Sequence, residues 1–222
     1  MESKMLGWVR GGAVPNYGEG TETELALTNL GGAFVAQELP PLTGTVARGR
    51  SYWASTTTAA APVIAIPTTA ALIGLWNGEP DNGKSYVIDS VFVVQVAVTA
   101  AVQNVGILAN VSQAQIATAI ANTITPRSLR AGLGYSGAAR VAVGITLNAA
   151  DGVAANWMPI GTTPSPSNTL QIGTVVDYDV GGRIIIPPKG QLSLSALAGA
   201  ATASSIQIGM RWHEVILPTV NG

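Results

Sequence analysis

Ser85-Tyr-Val-Ile-Asp-Ser-Val-Phe-Val-Val-Gln-Val-Ala-Val98 is the longest β-branched stretch in the chain. Read at period two, Val87, Val91, Val93 and Ala97 share one face with Asp89 and Gln95. The other face carries Tyr86, Ile88, Phe92, Val94, Val96 and Val98, broken only by Ser90. Apolarity this continuous marks a strand covered on both faces for much of its length. The run extends to Val111, but Thr99, Gln103, Asn104, Gly106 and Asn110 interrupt it as well. A membrane-spanning helix needs about 20 predominantly apolar residues, so a pair of strands explains the run better and no membrane contact is expected.

Outward from this stretch the pattern repeats in shorter pieces. Pro62-Val-Ile-Ala-Ile66 is bounded by prolines, and Ala71 to Trp76 runs into the turn signals Asn77-Gly78 and Pro80-Asp-Asn-Gly83. Val105 to Val111 and Ala139 to Leu147 follow, then Leu170 to Val180 and Arg183 to Ile186, split by Gly181-Gly182. Gln191 to Leu197 alternates strictly, with Leu192, Leu194 and Ala196 opposite Gln191, Ser193 and Ser195. Ser205 to Leu217 places Ile206, Ile208, Met210 and Trp212 on one face and Gln207, Arg211 and His213 on the other. Ser112 to Ile124 suits a helix by its alanines and a strand by its Thr and Ile. No internal repeat supports a solenoid or propeller. Strands without interleaved helices predict an all-β fold, an antiparallel β-sandwich. The strand number and the long connections around residues 112–137 and 148–169 suit a jelly roll.

Residues 1–55 differ in texture, being rich in Gly, Pro and Glu with isolated large side chains: Trp8, Tyr17, Phe34, Tyr52 and Trp53. Thr21-Glu-Thr-Glu24 has capping-box spacing ahead of Leu25, Ala26 and Leu27, which predicts one short helix. The remainder reads as an extended N-terminal arm unable to build its own core. The expected division is an arm over 1–55 and a β-sandwich domain over 56–222. The five spaced aromatics are the candidates for contact with a partner or with the chain's own domain.

Apolar residues make up 47% of the 222, and charged residues only 10%, against roughly 25% in an ordinary soluble domain. So little charge leaves an isolated protomer poorly solvated, which points to surface buried against copies of itself or another protein. The net charge is −1 and no stripe of Lys and Arg follows a phosphate backbone, so nucleic-acid binding is not expected. The absence of cysteine excludes disulfides and thiolate metal sites. Met1 to Gly12 contains no apolar core of a signal peptide.

The chemical constellations are few. Gly132-Leu-Gly-Tyr-Ser-Gly137 spells G-x-G-x-x-G, but Pro126-Arg-Ser-Leu-Arg130 precedes it and the β-branched run Val141 to Leu147 follows. A dinucleotide site needs a strand before the glycines and a helix after them. His213 is the only histidine, with Trp212 and Glu214 on the opposite strand face, so a hydrolytic triad is not expected. Lys4, Lys84 and Lys189 sit in arm or turn contexts. Asp177 and Asp179 share a strand face, as a cation site or as solvated carboxylates at a strand end. Trp76, Trp157 and Tyr135, in turn-like settings, are the candidates for stacking on a sugar. The reading is a protein with no catalytic residue, cofactor or metal.

Several motifs, Phe34-Val-Ala-Gln-Glu-Leu-Pro-Pro41, Arg48-Gly-Arg-Ser-Tyr-Trp53, Leu75-Trp-Asn-Gly-Glu-Pro80, Gly83-Lys-Ser-Tyr-Val-Ile-Asp-Ser-Val91 and Gly209-Met-Arg-Trp-His-Glu214, together resemble virion structural proteins of tailed bacteriophages. The resemblance implies a head decoration or cement protein with a jelly-roll body, made in the host cytoplasm and carried on the virion head surface. Its implied partners are its own copies, as a homotrimer, and the phage major capsid protein. A tail, fibre or head-fibre subunit is the nearest alternative, and a carbohydrate-binding jelly roll the alternative of another class.

Overall fold

The computed structural model describes residues 6–8, 22–24, 42–98, 104–112, 124–147, 153–163, 175–199 and 204–217. Two short strands, β1 (Leu6–Trp8) and β2 (Glu22–Glu24), pair antiparallel. A five-residue helix α1 (Thr43–Ala47) precedes ten further strands. These are β3 (Ser51–Ser55), β4 (Ala70–Asn77), β5 (Ser85–Val98), β6 (Val105–Ser112) and β7 (Arg127–Ser128). They continue with β8 (Ala139–Thr146), β9 (Trp157–Thr162), β10 (Val175–Ile186), β11 (Gln191–Ala198) and β12 (Ser204–Val215). They form two five-stranded sheets, ordered β10-β5-β12-β3-β7 and β8-β4-β11-β6-β9, with every named pairing antiparallel. The chain is therefore an antiparallel β-sandwich. Every step from β3 to β12 crosses between the sheets except β8 to β9.

Alternation builds the core. Leu192, Leu194 and Ala196 of β11 face Ile206, Ile208, Met210 and Trp212 of β12 across the interior, all fully buried. Each large side chain among them contributes about 1.5–3 kcal/mol by leaving water. On β5 the period slips. Trp212 pairs with Ile88 but Arg211 with Ser90, so Asp89 is an extra residue on β5, and a second slip falls between Ser205 and Ile206 of β12. Strict alternation assigned Val91 and Val93 to the face opposite Tyr86 and Ile88. The bulge at Asp89 turns all four into the core. β10 bulges at the same level, between Asp179 and Ile184, where Gly181 and Gly182 take positive φ (57° and 73°). Those glycines do not split the strand; they let it bend and continue.

Other expectations shift for stated reasons. Pro62 to Ile66 is not a strand: residues 56–69 cross from one sheet to the other, touching β12 through an Ala60–Ile206 bridge and β11 through a Val63–Leu197 bridge. The segment then covers the outer side of the second sheet, where the Trp157 indole N–H donates to the Pro67 carbonyl at 2.7 Å. Trp76, Leu108, Ala142, Ile145, Leu147 and Trp157 form a second apolar cluster there. Ser51–Ser55, grouped with the arm by its texture, is paired along β12 and belongs to the sandwich. Glu22–Glu24 is extended, and the Leu25 to Leu27 part of the expected short helix lies outside the described residues. Residues 1–5, 9–21 and 25–41 of the expected arm, and residues 113–123, lie outside the described residues.

Asn77 closes one end of the sandwich. Its buried side-chain amide donates to the carbonyls of Lys84 (2.8 Å) and Ile186 (3.0 Å), and its Oδ1 accepts the Glu79 N–H (3.0 Å). Asn77→Ala strands two carbonyls and is expected to cost about 2 kcal/mol, measurable by urea unfolding. A cost below about 0.5 kcal/mol would mean that water replaces those bonds.

Candidate functional site

The outward side of the first sheet and its β3–β7 edge carry the polar chemistry. Alternation along β12 sends Trp212 and Glu214 inward and Arg211 and His213 outward. The His213 Nδ1 lies 2.7 Å from Asp89 Oδ1, both side chains largely covered. The bulge at Asp89 makes this contact, because the extra residue lets its carboxylate lean over the neighbouring strand. Arg211 donates to Ser90 Oγ at 2.9 Å, forms an ion pair with Asp177, and lies with its guanidinium carbon 4.7 Å from the Phe92 ring centre. Trp53 sits beside Phe92, ring centres 6.3 Å apart.

Apolar side chains fill the rest of this face. Val87 lies opposite Ile185, and Val94 opposite Val175. Val175 is 62% exposed, Ile185 42% and Val96 38%.

Among the five aromatics singled out from sequence, Tyr52 and Trp53 are neighbours on β3 and so point to opposite sides. Tyr52 is buried in its own sandwich: its hydroxyl donates to the Gly49 carbonyl at 2.6 Å, and its ring meets Tyr135 edge-on at 4.8 Å. It therefore packs on the chain's own domain, one of the two contacts expected of these aromatics. Trp53 is half-buried on the outer face. Trp8 lies in β1, and Tyr17 and Phe34 lie outside the described residues.

Gly132 to Gly137 lies in the connection from β7 to β8, with a strand and no helix after it. Asp177 is engaged by Arg211 while Asp179 is exposed, and no group of three His, Asp or Glu side chains suited to a cation occurs among the described residues. Trp76 and Trp157 lie in strands rather than turns and are buried, with Arg140 and Lys189 over the Trp76 ring at 5.0 and 5.6 Å. Lys84 binds Glu214 at 2.8 Å, and that hydrogen bond holds the ammonium pKa above its usual value.

The pairs Asp89–His213 and Lys84–Glu214 join positions 124 and 130 residues apart and have no local sequence signal. Comparison with protein-family models, with curated proteins and with solved structures found no match to this chain.

Proposed function

We propose that the protein is a structural component of a bacteriophage particle, a head decoration or cement protein that self-associates through its first sheet, as a homotrimer, and reinforces the shell. The observation that carries this reading is the outer face of that sheet, where Val87–Ile185 and Val94–Val175 lie side by side with Val96 and Phe92 in a chain with only 10% charged residues. Scattered exposed apolar side chains are normal on a monomer. Paired across adjacent strands they favour a second surface.

The strand order supports a jelly-roll winding. With β7 and β8 set aside, the sheets read β3-β12-β5-β10 and β4-β11-β6-β9, the interleaving that two Greek keys produce. Viral shell proteins and lectins both use that architecture. The burial of Trp76 and Trp157 weighs against sugar stacking. The resemblance of the sequence motifs to phage virion proteins supplies the particle.

A stable contact of this kind buries on the order of 1,200 Å² or more in total, with apolar area contributing about 25 cal/mol per Å². Sedimentation equilibrium at micromolar concentration is expected to show a trimer. Val96→Lys together with Ile185→Lys is expected to return it to monomer with its circular dichroism unchanged. A wild-type monomer would sink the self-association, and an assembly indifferent to both lysines would sink its placement on this sheet. Co-sedimentation with phage heads tests the shell assignment, and retention in the supernatant would end it.

A further inference from the structure

At the edge of the first sheet, two adjoining concavities lie on either side of Trp53. One, of about 370 Å³, is lined by Arg127, Ser128, Arg130 and the loop from Gly132 to Tyr135. The other, of about 410 Å³, runs along Ser55, Thr57, Thr125 and Gln207, and Arg127 lines both. The backbone that carries Arg48 and Arg50 runs past this edge, because Arg130 donates to the Ala47 carbonyl and the Leu129 N–H donates to the Ser51 carbonyl at 2.9 Å, although neither arginine lines a concavity. Thus four of the chain's eleven basic residues gather at one edge. None of the four forms an ion pair among the described residues, whereas Lys84 and Arg211 both do. β7 pairs only with Tyr52 and Trp53, so Ala54 and Ser55 have no ladder partner on that side among the described residues.

We propose that this groove receives the acidic N-terminal segment of a second copy of the chain, an inference that rests on the self-association proposed above. The two parts of the chain carry opposite charge. Residues 1–41 hold Glu2, Glu19, Glu22, Glu24 and Glu38 against Lys4 and Arg10, while the rest holds nine basic residues against seven acidic ones. The segment joins the fold at Leu42, where α1 leads directly to Arg48. At about 3.3 Å per extended residue, the chain between the end of β2 at Glu24 and Leu42 can reach roughly 55 Å, enough to cross to a neighbouring protomer. The groove meets the chemistry of such a guest at three points: guanidinium groups for carboxylates, the Trp53 ring for a side chain, and a strand edge with no ladder partner among the described residues for an extended backbone.

The test uses the full chain and complementary charge reversal. Arg127→Glu/Arg130→Glu alters the groove, and Glu19→Lys/Glu22→Lys/Glu24→Lys alters the segment. Each variant is expected to weaken self-association by about tenfold or more in sedimentation equilibrium. Mixing the two is expected to restore association, since one keeps a wild-type segment and the other a wild-type groove. The chain with all five substitutions is also expected to recover.

Wild-type association in the groove variant would overturn the proposal. So would loss in both variants without recovery in the mixture and the five-substitution chain. A change in melting temperature with oligomer size intact would assign the segment to its own chain and overturn the exchange between copies. Binding of a fluorescein-labelled DNA 20-mer to wild type but not to the groove variant, with association intact in both, would assign the groove to phosphates instead. A monomeric wild type would remove the assembly reading itself. An assembled wild type with both variants equally assembled would remove only the groove.

Discussion

Replacing Lys84 with Met is expected to destabilise the fold by about 3 kcal/mol, a drop of roughly 6–12 °C in melting temperature for a chain of this size. The reason lies with its partner. Glu214 is 1% exposed at the end of β12, on the core side of the strand, beneath the turn that joins β4 to β5. Lys84 Nζ reaches it at 2.8 Å, and the Tyr135 hydroxyl at 3.4 Å is a long contact. A Cβ on Gly137 would come within 2.6 Å of Glu214 Oε1, so the carboxylate lies directly against that loop. Without the ammonium, a charge is left in a site that water barely enters, and breaking a buried pair from one side costs 3–5 kcal/mol in general. The lower end applies because Lys84 itself remains 36% exposed, and solvent screens its half of the pair. Glu79, 3.8 Å from Nζ, is a weaker second partner. Lys84→Met combined with Glu214→Gln removes both charges and is expected to recover most of the loss. Urea unfolding of the two variants decides the matter. A cost below 1 kcal/mol for Lys84→Met, or no recovery in the double variant, would show that Glu214 is reached by water.

The sandwich was legible wherever alternation ran unbroken. Gln191 to Leu197 and Ser205 to Leu217 needed only period two: their apolar faces are the ones packed in the core, although β11 also buries its polar face of Gln191, Ser193 and Ser195. The reading failed where a backbone device changed the period. The extra Asp89 on β5 exchanges the faces of Val91 and Phe92, and a bulge leaves no mark in a run of valines. Pro62 to Ile66 has strand composition, yet between its flanking prolines it makes only the single Val63–Leu197 bridge to β11, and Ile64 and Ile66 stay exposed. β9 begins at Trp157 in Asn-Trp-Met-Pro-Ile, whose proline argues against a central strand; at the sheet edge it is tolerated. The groove was invisible for another reason. Arg48 and Arg50 are separated from Arg127 and Arg130 by more than 70 residues, and only the pairing of β3 with β7 brings the four together.

Stability is expected to fall steeply once the pH passes about 10, because several groups keep their protons in the fold and lose them in the unfolded chain. Burial pushes the phenols of Tyr52, Tyr86, Tyr135 and Tyr178 above their usual pKa, and the Glu214 carboxylate adds to this for the first three. Lys84 is raised as well, through its hydrogen bond to Glu214. An unfolded phenol titrates near pH 10. Above that value the unfolded chain binds fewer protons than the native one, so stability decreases with rising pH; below about pH 9 both states are protonated and the effect vanishes. Each such group sets a slope of up to about 1.4 kcal/mol per pH unit until its folded pKa is reached. Tyr86 is fully buried, and with Tyr135 beside the same buried carboxylate it dominates. These two phenols alone remove about 3 kcal/mol between pH 10 and 11.5, a large share of the 5–15 kcal/mol that holds a typical domain together. Melting temperatures from pH 7 to 12 should therefore be level and then drop sharply. Tyrosinate absorbance of these residues should appear together with unfolding rather than ahead of it. Tyr86→Phe should make the alkaline limb shallower by one proton. If the phenols instead ionise near pH 10 while the circular dichroism stays native, then Tyr86 and Tyr135 are open to solvent, and the closed end of the sandwich that also shelters Glu214 is looser than its packing implies.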